Sequence, residues 1–453
     1  MLMRFNVKNF LSFDEMQEFA MTAGNVRNKE QHLIKGKSIN LLKFSALYGP
    51  NASGKSSFVK ALKFSKEIIL NGLNYNSNDK YFRLKSDTAI KPTTFEYEFN
   101  IGMKYYAYGF NLLLSESKIT GEWLYELKPS GESLIYERDL IINDFKQGIK
   151  FKTEASKTRF DIYSEDILNN KNVLFISEIN RNKESVFEKH EEFRVFNDIF
   201  NWFTKTLDIN FPDDPVSSTD FFVDNDKENN DRLFALLDCL GTGITDFKLV
   251  NTSVEEVRKQ IPLQILKNIE NELRKHKEGV VHFRSKNNLH IIRLDEKKEN
   301  LEFQTMYFFH GTNGGNFTLG EESDGTRRLL DLIEILLSES EKVYVIDEID
   351  RSLHPNLTHK FIELFLDMLA DKRIQLIITT HEDRLLDLGL LRRDEVWFVE
   401  KQEDGSSKLY SLEKYKTRFD KRILNSYLEG RYGAVPKFKR LSFLEDKNNS
   451  EEG

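Results

Sequence analysis

The sequence predicts an α/β fold: a buried parallel sheet entered through a strand, a glycine-rich loop and a helix, with an antiparallel β meander and a helical insertion attached. Three observations predict it. Leu41 to Tyr48, LLKFSALY, is a mostly apolar run that ends at Gly49, and from Gly54 the residues Phe58, Ala61, Leu62, Ser65, Ile68 and Ile69 recur at three and four. Val343 to Ile346, VYVI, and Arg373 to Thr380, RIQLIITT, carry apolar residues on both alternations, as strands covered on both faces do. Residues 93–137 hold short β-favouring runs, TTFEYEFNIG, KYYAYGFNLLL and ITGEWLYELK, with turn signals between them.

The remaining elements follow in chain order. Met3 to Phe10, MRFNVKNF, alternates apolar and polar residues at a period of two and reads as a strand. From about 155 to 278 the character shifts to charged helical stretches such as ESVFEKHEEFRVFNDIFNWF and SVEEVRKQIPLQILKNIENELRKH, broken at FPDDPVSSTD and NDKENND. GVVHFRS and NNLHIIRLD are strands leading back to the core, RRLLDLIEILL is a helix, and EVWFVE is a late strand. The expected division is therefore 1–150 and 301–440 as two parts of one domain, 151–300 as a mainly helical insertion or lid, and 441–453 as a polar, fraying tail.

Composition narrows the classes. A chain of 453 residues with 39% hydrophobic and 31% charged residues is globular rather than disordered. No run reaches the roughly eighteen apolar residues of a membrane span, and MLMRFNVKNF lacks the parts of a signal peptide, so a cytoplasmic location is expected. The single cysteine, Cys239, has no internal partner for a disulfide. A net charge of −7 argues against a uniformly basic nucleic-acid binder, while leaving room for a local positive groove.

Four motifs carry chemistry. Gly49-Pro50-Asn51-Ala52-Ser53-Gly54-Lys55-Ser56-Ser57 has the spacing of a phosphate-cradling loop, in which absent side chains let backbone N–H groups converge at a helix N-terminus. Lys55 is placed to pair with β- and γ-phosphates, and Ser56 to give its hydroxyl oxygen to Mg²⁺. At the C-terminal end of VYVI, where ligands bind in parallel sheets, Asp347 is a candidate Mg²⁺ ligand and Glu348 the residue that orients or deprotonates an attacking water. His381 closes RIQLIITTH, a strand expected beside VYVI, and would stand at the γ-phosphate edge; alone, such a histidine is more often structural. Ser323-Asp324-Gly325-Thr326 opens the helix RRLLDLIEILL; locally a helix cap explains it, and its place before VYVI suggests an anion-binding N-terminus.

The order GPNASGKS, ESDGT, VYVIDEID, TTH resembles an ABC-class P-loop ATPase of the SMC and RecF type. MRFNVKNFLSF, DEIDRSLHP at 347–355 and GRYGAVP at 430–436 are similar to AAA-family ATPases of bacterial abortive-infection systems, of AbiL and RloA type and more distantly the AriA subunit of PARIS systems. The resemblance covers roughly residues 1–130 and 300–437. It implies an α/β P-loop NTPase fold of ABC-ATPase type, binding ATP and Mg²⁺ and releasing ADP and phosphate. It also implies a homodimer or larger homo-oligomer in which Ser323 and Gly325, with Asp324 and Thr326, reach the nucleotide of a second protomer, and Asp350 communicates between sites. The transporter-type signature LSGGQ is not kept, and no glutamine stands in YFRLKSD, residues 81–87, where a glutamine loop would fall.

Two functions follow from the resemblance. One is a sensor or regulatory subunit of an anti-phage, abortive-infection system that controls a separate effector, a nuclease encoded nearby. The other is a RecF- or SMC-like ATPase that binds DNA in repair or maintenance. Residues 155–278 hold no sustained heptads, which disfavours long coiled-coil bridging. About seventy residues follow His381, too few for a fused nuclease domain. The basic run KRILNSYLEGRYGAVPKFKR is a solvated helix face or a nucleic-acid contact.

Overall fold

The computed structural model describes residues 1–415 except 27, 75–76, 182–186, 188–189, 213–226, 277–279, 285–287, 296, 298–299 and 312–314, and beyond these Tyr427, Tyr432, Ala434 and Val435. The tail 441–453 and most of KRILNSYLEGRYGAVPKFKR lie outside the described residues. The chain forms two compact units, one of residues 1–205 and 377–453, the other of residues 206–376, with the boundary inside the strand Ile374–Thr380.

The first unit contains the meander. Its strands run Asp144–Gln147, Gly131–Asp139, Lys118–Lys128, Lys104–Leu113, Thr93–Ile101, Leu2–Lys8 and Gln17–Ala20 in spatial order, and the paired neighbours are antiparallel. The period-two pattern of the N-terminal strand is answered in register, with Phe5 opposite Tyr97 and Val7 opposite Phe95. All four are fully buried, so a one-residue slip would turn this apolar set toward water.

The helix Lys55–Asn71 lies against that aromatic face. Phe58 meets Phe5 and Phe19 at ring distances of 5.8 and 4.9 Å, and Ser65 Oγ is 2.6 Å from the Tyr97 hydroxyl. The helix ends at Gly72, whose φ of 80° is open to glycine and whose N–H bonds to the Ile68 carbonyl. Behind the loop, the wholly buried strand Phe44–Tyr48 runs parallel to Val396–Lys401, which pairs antiparallel with Ser407–Ser411. The run Leu41–Tyr48 is thus two strands: Leu41–Leu42 folds back on Leu33–Ile34 and only Phe44–Tyr48 enters the parallel sheet.

A buried polar knot fastens the meander to the helices after it. The Glu122 carboxylate accepts from the hydroxyls of Tyr108 (3.1 Å) and Tyr136 (2.6 Å) and from the backbone N–H groups of Phe175 (2.6 Å) and Ile176 (3.1 Å). Arg138 stands 3.8 Å away and donates to the carbonyls of Val173, Ile167 and Asn170. Burial first, then the Glu122 charge, pushes both phenols well above the ordinary tyrosine range, which keeps them as donors. Glu122→Gln keeps the shape but removes the charge, and is expected to lower unfolding free energy by about 2 kcal/mol, read from urea denaturation followed by circular dichroism.

The second unit holds a parallel pair, Leu207–Asn210 with Lys342–Ile346, and the helices Asp324–Leu337 and Pro355–Met368. It also holds an antiparallel sheet ordered Ile244–Asn251, Leu301–His310, Leu289–Leu294, Val280–Arg284, with Asn316–Phe317 paired to Leu301–His310. Helix Leu263–His276 covers one face of it through Leu266, Ile269 and Leu273 against Ile292 and Phe303. The region read as helical therefore contains strands as well. Leu207–Asn210 and Ile244–Asn251 sit between its helices, and the long helical reading at 253–276 is broken before Pro262.

Candidate functional site

In the first unit the glycine-rich loop is built by exclusion of side chains. A Cβ on Gly49 would stand 2.3 Å from the Val399 carbonyl oxygen and 2.7 Å from Ser53 Oγ, so the strand Val396–Lys401 leaves it no room. Gly54 has φ of 116°, and a Cβ there would meet Ser407 Oγ at 2.3 Å and Ser12 Oγ at 2.8 Å. Ser407 also holds the loop from outside: its hydroxyl donates to the Ser53 carbonyl at 2.5 Å and its N–H to the Ser12 carbonyl at 2.7 Å.

Pro50, Asn51 and Ala52 form the outer bend, with Ala52 in the left-handed region at φ of 61° and the Ser53 N–H bonded to the Pro50 carbonyl at 3.2 Å. The bond from the Phe58 N–H to the Gly54 carbonyl, 3.1 Å, opens the helix. The N–H groups of Lys55, Ser56 and Ser57 precede it, at the end of the helix that attracts anions.

Lys55 is buried at 5% exposure, and its ammonium donates to the carbonyls of Gly49 (2.6 Å) and Pro50 (3.2 Å). The same nitrogen is 3.2 Å from His381 Nδ1, so two residues far apart in sequence meet at one point of this unit. His381 follows the buried Thr379 and Thr380 and is itself exposed, while the Glu382 N–H returns to Thr380 Oγ1 at 2.9 Å.

In the second unit Asp347 follows the buried strand Lys342–Ile346, is 3% exposed, and its N–H bonds to the Asn210 carbonyl at 3.0 Å. Glu348 is half-buried with φ of 47°, a left-handed backbone that costs a non-glycine residue energy and is often retained where a side chain must be aimed. The turn continues through Asp350, whose carbonyl accepts from the Leu353 N–H at 3.1 Å, to His354, which caps the next helix through Nδ1 and the Asn356 N–H at 3.2 Å.

Ser323 caps the helix Asp324–Leu337, its hydroxyl accepting from the Thr326 N–H at 3.0 Å and lying 2.9 Å from Thr326 Oγ1, and Asp324 pairs with Arg327. Gly325 lies against the turn after Glu348: a Cβ there would stand 3.0 Å from the Ser352 carbonyl, and Ser352 itself has φ of 64°. Ser323, Asp324, Gly325 and Thr326 thus share a corner of this unit with the Asp350 turn.

Several contributors escaped sequence reading. Ser12 and Ser407 give no motif, since they act through position beside Gly54; Asn210 acts through its carbonyl. The segment 81–87, read as a stand-in for a glutamine loop, is tied down by the Phe82 N–H to Asn9 Oδ1 at 3.1 Å.

A family model described as "AAA domain, putative AbiEii toxin, Type IV TA system" matches residues 44–387. No curated protein matches the chain. Solved structures similar to it include an SMC head bound to the C-terminal winged-helix domain of ScpA, at 14% identity and TM-score 0.41, covering 91% of this chain and 99% of that one. The SMC head domain from Thermotoga maritima is similar at 13% identity and TM-score 0.33, covering 90% and 98%. A head with an extended coiled coil bound to the C-terminal domain of ScpA, derived from Pyrococcus furiosus, is similar at 12% identity and TM-score 0.39, covering 95% and 99%. No helix among the described residues is long and apolar enough to cross a membrane.

Proposed function

The chain belongs to the AAA domain family whose model spans residues 44–387, and from that membership we propose that it is an ATP-hydrolysing switch that pairs through its nucleotide sites. The observation that carries the proposal is the loop at 49–57, closed by Gly49 and Gly54 against backbone and hydroxyl groups and centred on the buried Lys55 ammonium beside His381. A cation and converging N–H groups at a helix start suit a polyphosphate.

The roles follow from chemistry. Lys55 neutralises β- and γ-phosphate charge, and Ser56 and Asp347 would hold Mg²⁺ through hard oxygen donors alongside the phosphates. Bound there, the ion would supply neutralisation of charge on the transferred phosphoryl group. Glu348 accepts the proton of the attacking water as the water oxygen bonds to the γ-phosphorus and the bond from that phosphorus to the β–γ bridging oxygen breaks, leaving ADP and phosphate, and His381 adds polarity at the γ-phosphate edge. By the resemblance to ABC-class ATPases, and not by chemistry alone, Ser323, Asp324, Gly325 and Thr326 reach the nucleotide of a second protomer, and Asp350 links the two sites. Loss of the γ-phosphate removes the contact that favours the paired form, so hydrolysis reopens it.

For the setting, the motif order GPNASGKS, ESDGT, VYVIDEID, TTH resembles that of SMC- and RecF-type ATPases, and we put a DNA-engaging ATPase first. The family description, which names AbiEii toxins and type IV toxin–antitoxin systems, supports the second reading, a defence ATPase controlling a separate nuclease. Glu348→Gln protein, purified by an affinity tag together with its genomic neighbours in ATP and Mg²⁺, separates them. Co-purifying DNA without a stoichiometric protein supports the first; a stoichiometric neighbour-encoded protein without DNA supports the second; a bare monomer sinks both.

A further inference from the structure

The strand Leu301–His310 ends twelve residues before Glu322, which immediately precedes the helix cap Ser323. His310 Nε2 lies 2.8 Å from Glu322 Oε1, and the carboxylate side chain is 5% exposed. A carboxylate taken that far from water is stable only with a donor in place, and the imidazole N–H supplies one. We propose that His310 is a positioning residue for ATP turnover, holding the Ser323–Thr326 turn in register with the antiparallel sheet. The inference rests on the ATPase reading above.

The ring is set on several sides. Thr245 Oγ1 bridges the carbonyls of Phe309 (3.2 Å) and Gly311 (3.3 Å), pinning the strand end that carries His310. Phe317 meets the ring edge-on, 5.4 Å between centroids at 83°, and is held there by pairing with Phe308. Gly243, at φ of 73°, turns the chain beside the ring in a conformation that favours glycine; a Cβ there would stand in ordinary contact, 3.4 Å, with His310 Nδ1.

The loop between sheet and helix has a second fastening. The Glu321 carboxylate accepts from both the N–H and the hydroxyl of Thr318, each at 2.8 Å, and the Glu321 N–H returns to the Thr318 carbonyl at 3.0 Å. Glu321 closes the loop on itself, and Glu322 ties it to the sheet. Because Ser323 is bonded directly to Glu322, a shift of the strand end passes to the first turn of the helix without an intervening flexible residue.

The test compares wild type, His310→Ala and His310→Gln. Three readouts are taken: kcat and KM for Mg-ATP, ATP-dependent dimerisation in the Glu348→Gln background, and fluorescent-ATP binding by dilute monomer. His310→Ala is expected to lower kcat and dimerisation about tenfold or more while monomer binding changes less than about twofold, and His310→Gln, whose amide N–H can reach Glu322, to restore most of the loss. Wild-type kcat and dimerisation in His310→Ala, failure of His310→Gln to rescue, or a parallel fall of monomer binding overturns the inference alone. A wild-type protein that neither hydrolyses ATP nor dimerises overturns the ATPase reading and this inference with it.

Discussion

Glu348→Gln is expected to slow ATP turnover by about 10²–10⁴-fold while leaving nucleotide binding intact. An amide is nearly isosteric with the carboxylate, and it cannot take a proton from water. The backbone supports a specific role: Glu348 holds a left-handed φ of 47° directly after the buried Asp347, in a turn closed by the Arg351 N–H on the Glu348 carbonyl at 3.0 Å. Phosphate release and retention of labelled ATP on a filter are the paired measurements. Turnover within twofold of wild type would show that another group activates the water.

Lys55→Ala is expected to weaken ATP binding by about 10- to 150-fold, the loss of one charged hydrogen-bond donor to phosphate, and to abolish ATP-dependent pairing. The side chain has a structural duty too, since its ammonium bridges the Gly49 and Pro50 carbonyls and faces His381 Nδ1. Lys55→Arg is therefore a poor rescue: a planar guanidinium does not fit a cradle shaped by carbonyls around a point charge. ATP titration by calorimetry checks both variants, with ADP as control. Equal loss for ADP and ATP would mean that the lysine serves the β-phosphate or the loop rather than the γ-phosphate.

Much of the fold was legible because its signals are local. The pattern of MRFNVKNF and TTFEYEFNI is the alternation of one buried and one open face, and the strands Leu2–Lys8 and Thr93–Ile101 carry it. VYVI and IQLIITT are apolar on both faces because both are covered, and the helix after Gly54 runs over Lys55–Asn71 with its apolar stripe inward. Within 207–310, GVVHFRS and NNLHIIRLD were legible as strands, but two others were not: in Ile244–Asn251 the apolar residues Ile244, Phe247, Leu249 and Val250 do not alternate, and Leu207–Asn210 is four residues long.

The candidate site was legible as motifs and not as geometry. GPNASGKS and VYVIDE name residue types at fixed spacing, which backbone chemistry makes informative. Nothing local announces that Ser407 and Ser12 border Gly54, or that His310 meets Glu322, because those contacts are made by distant segments brought together in folding.

The backbone at Glu348 also bears on how this protein would respond to laboratory evolution. A glutamate held at φ of 47° sacrifices about 1 kcal/mol that glycine at the same place would not. Selection for heat resistance alone would therefore enrich glycine, and after it asparagine, at position 348, and under the role proposed for Glu348 the hardiest clones would be those that had lost their turnover. On that proposal robustness and activity compete at this one peptide unit, and a screen that reads only survival of the fold would choose against turnover.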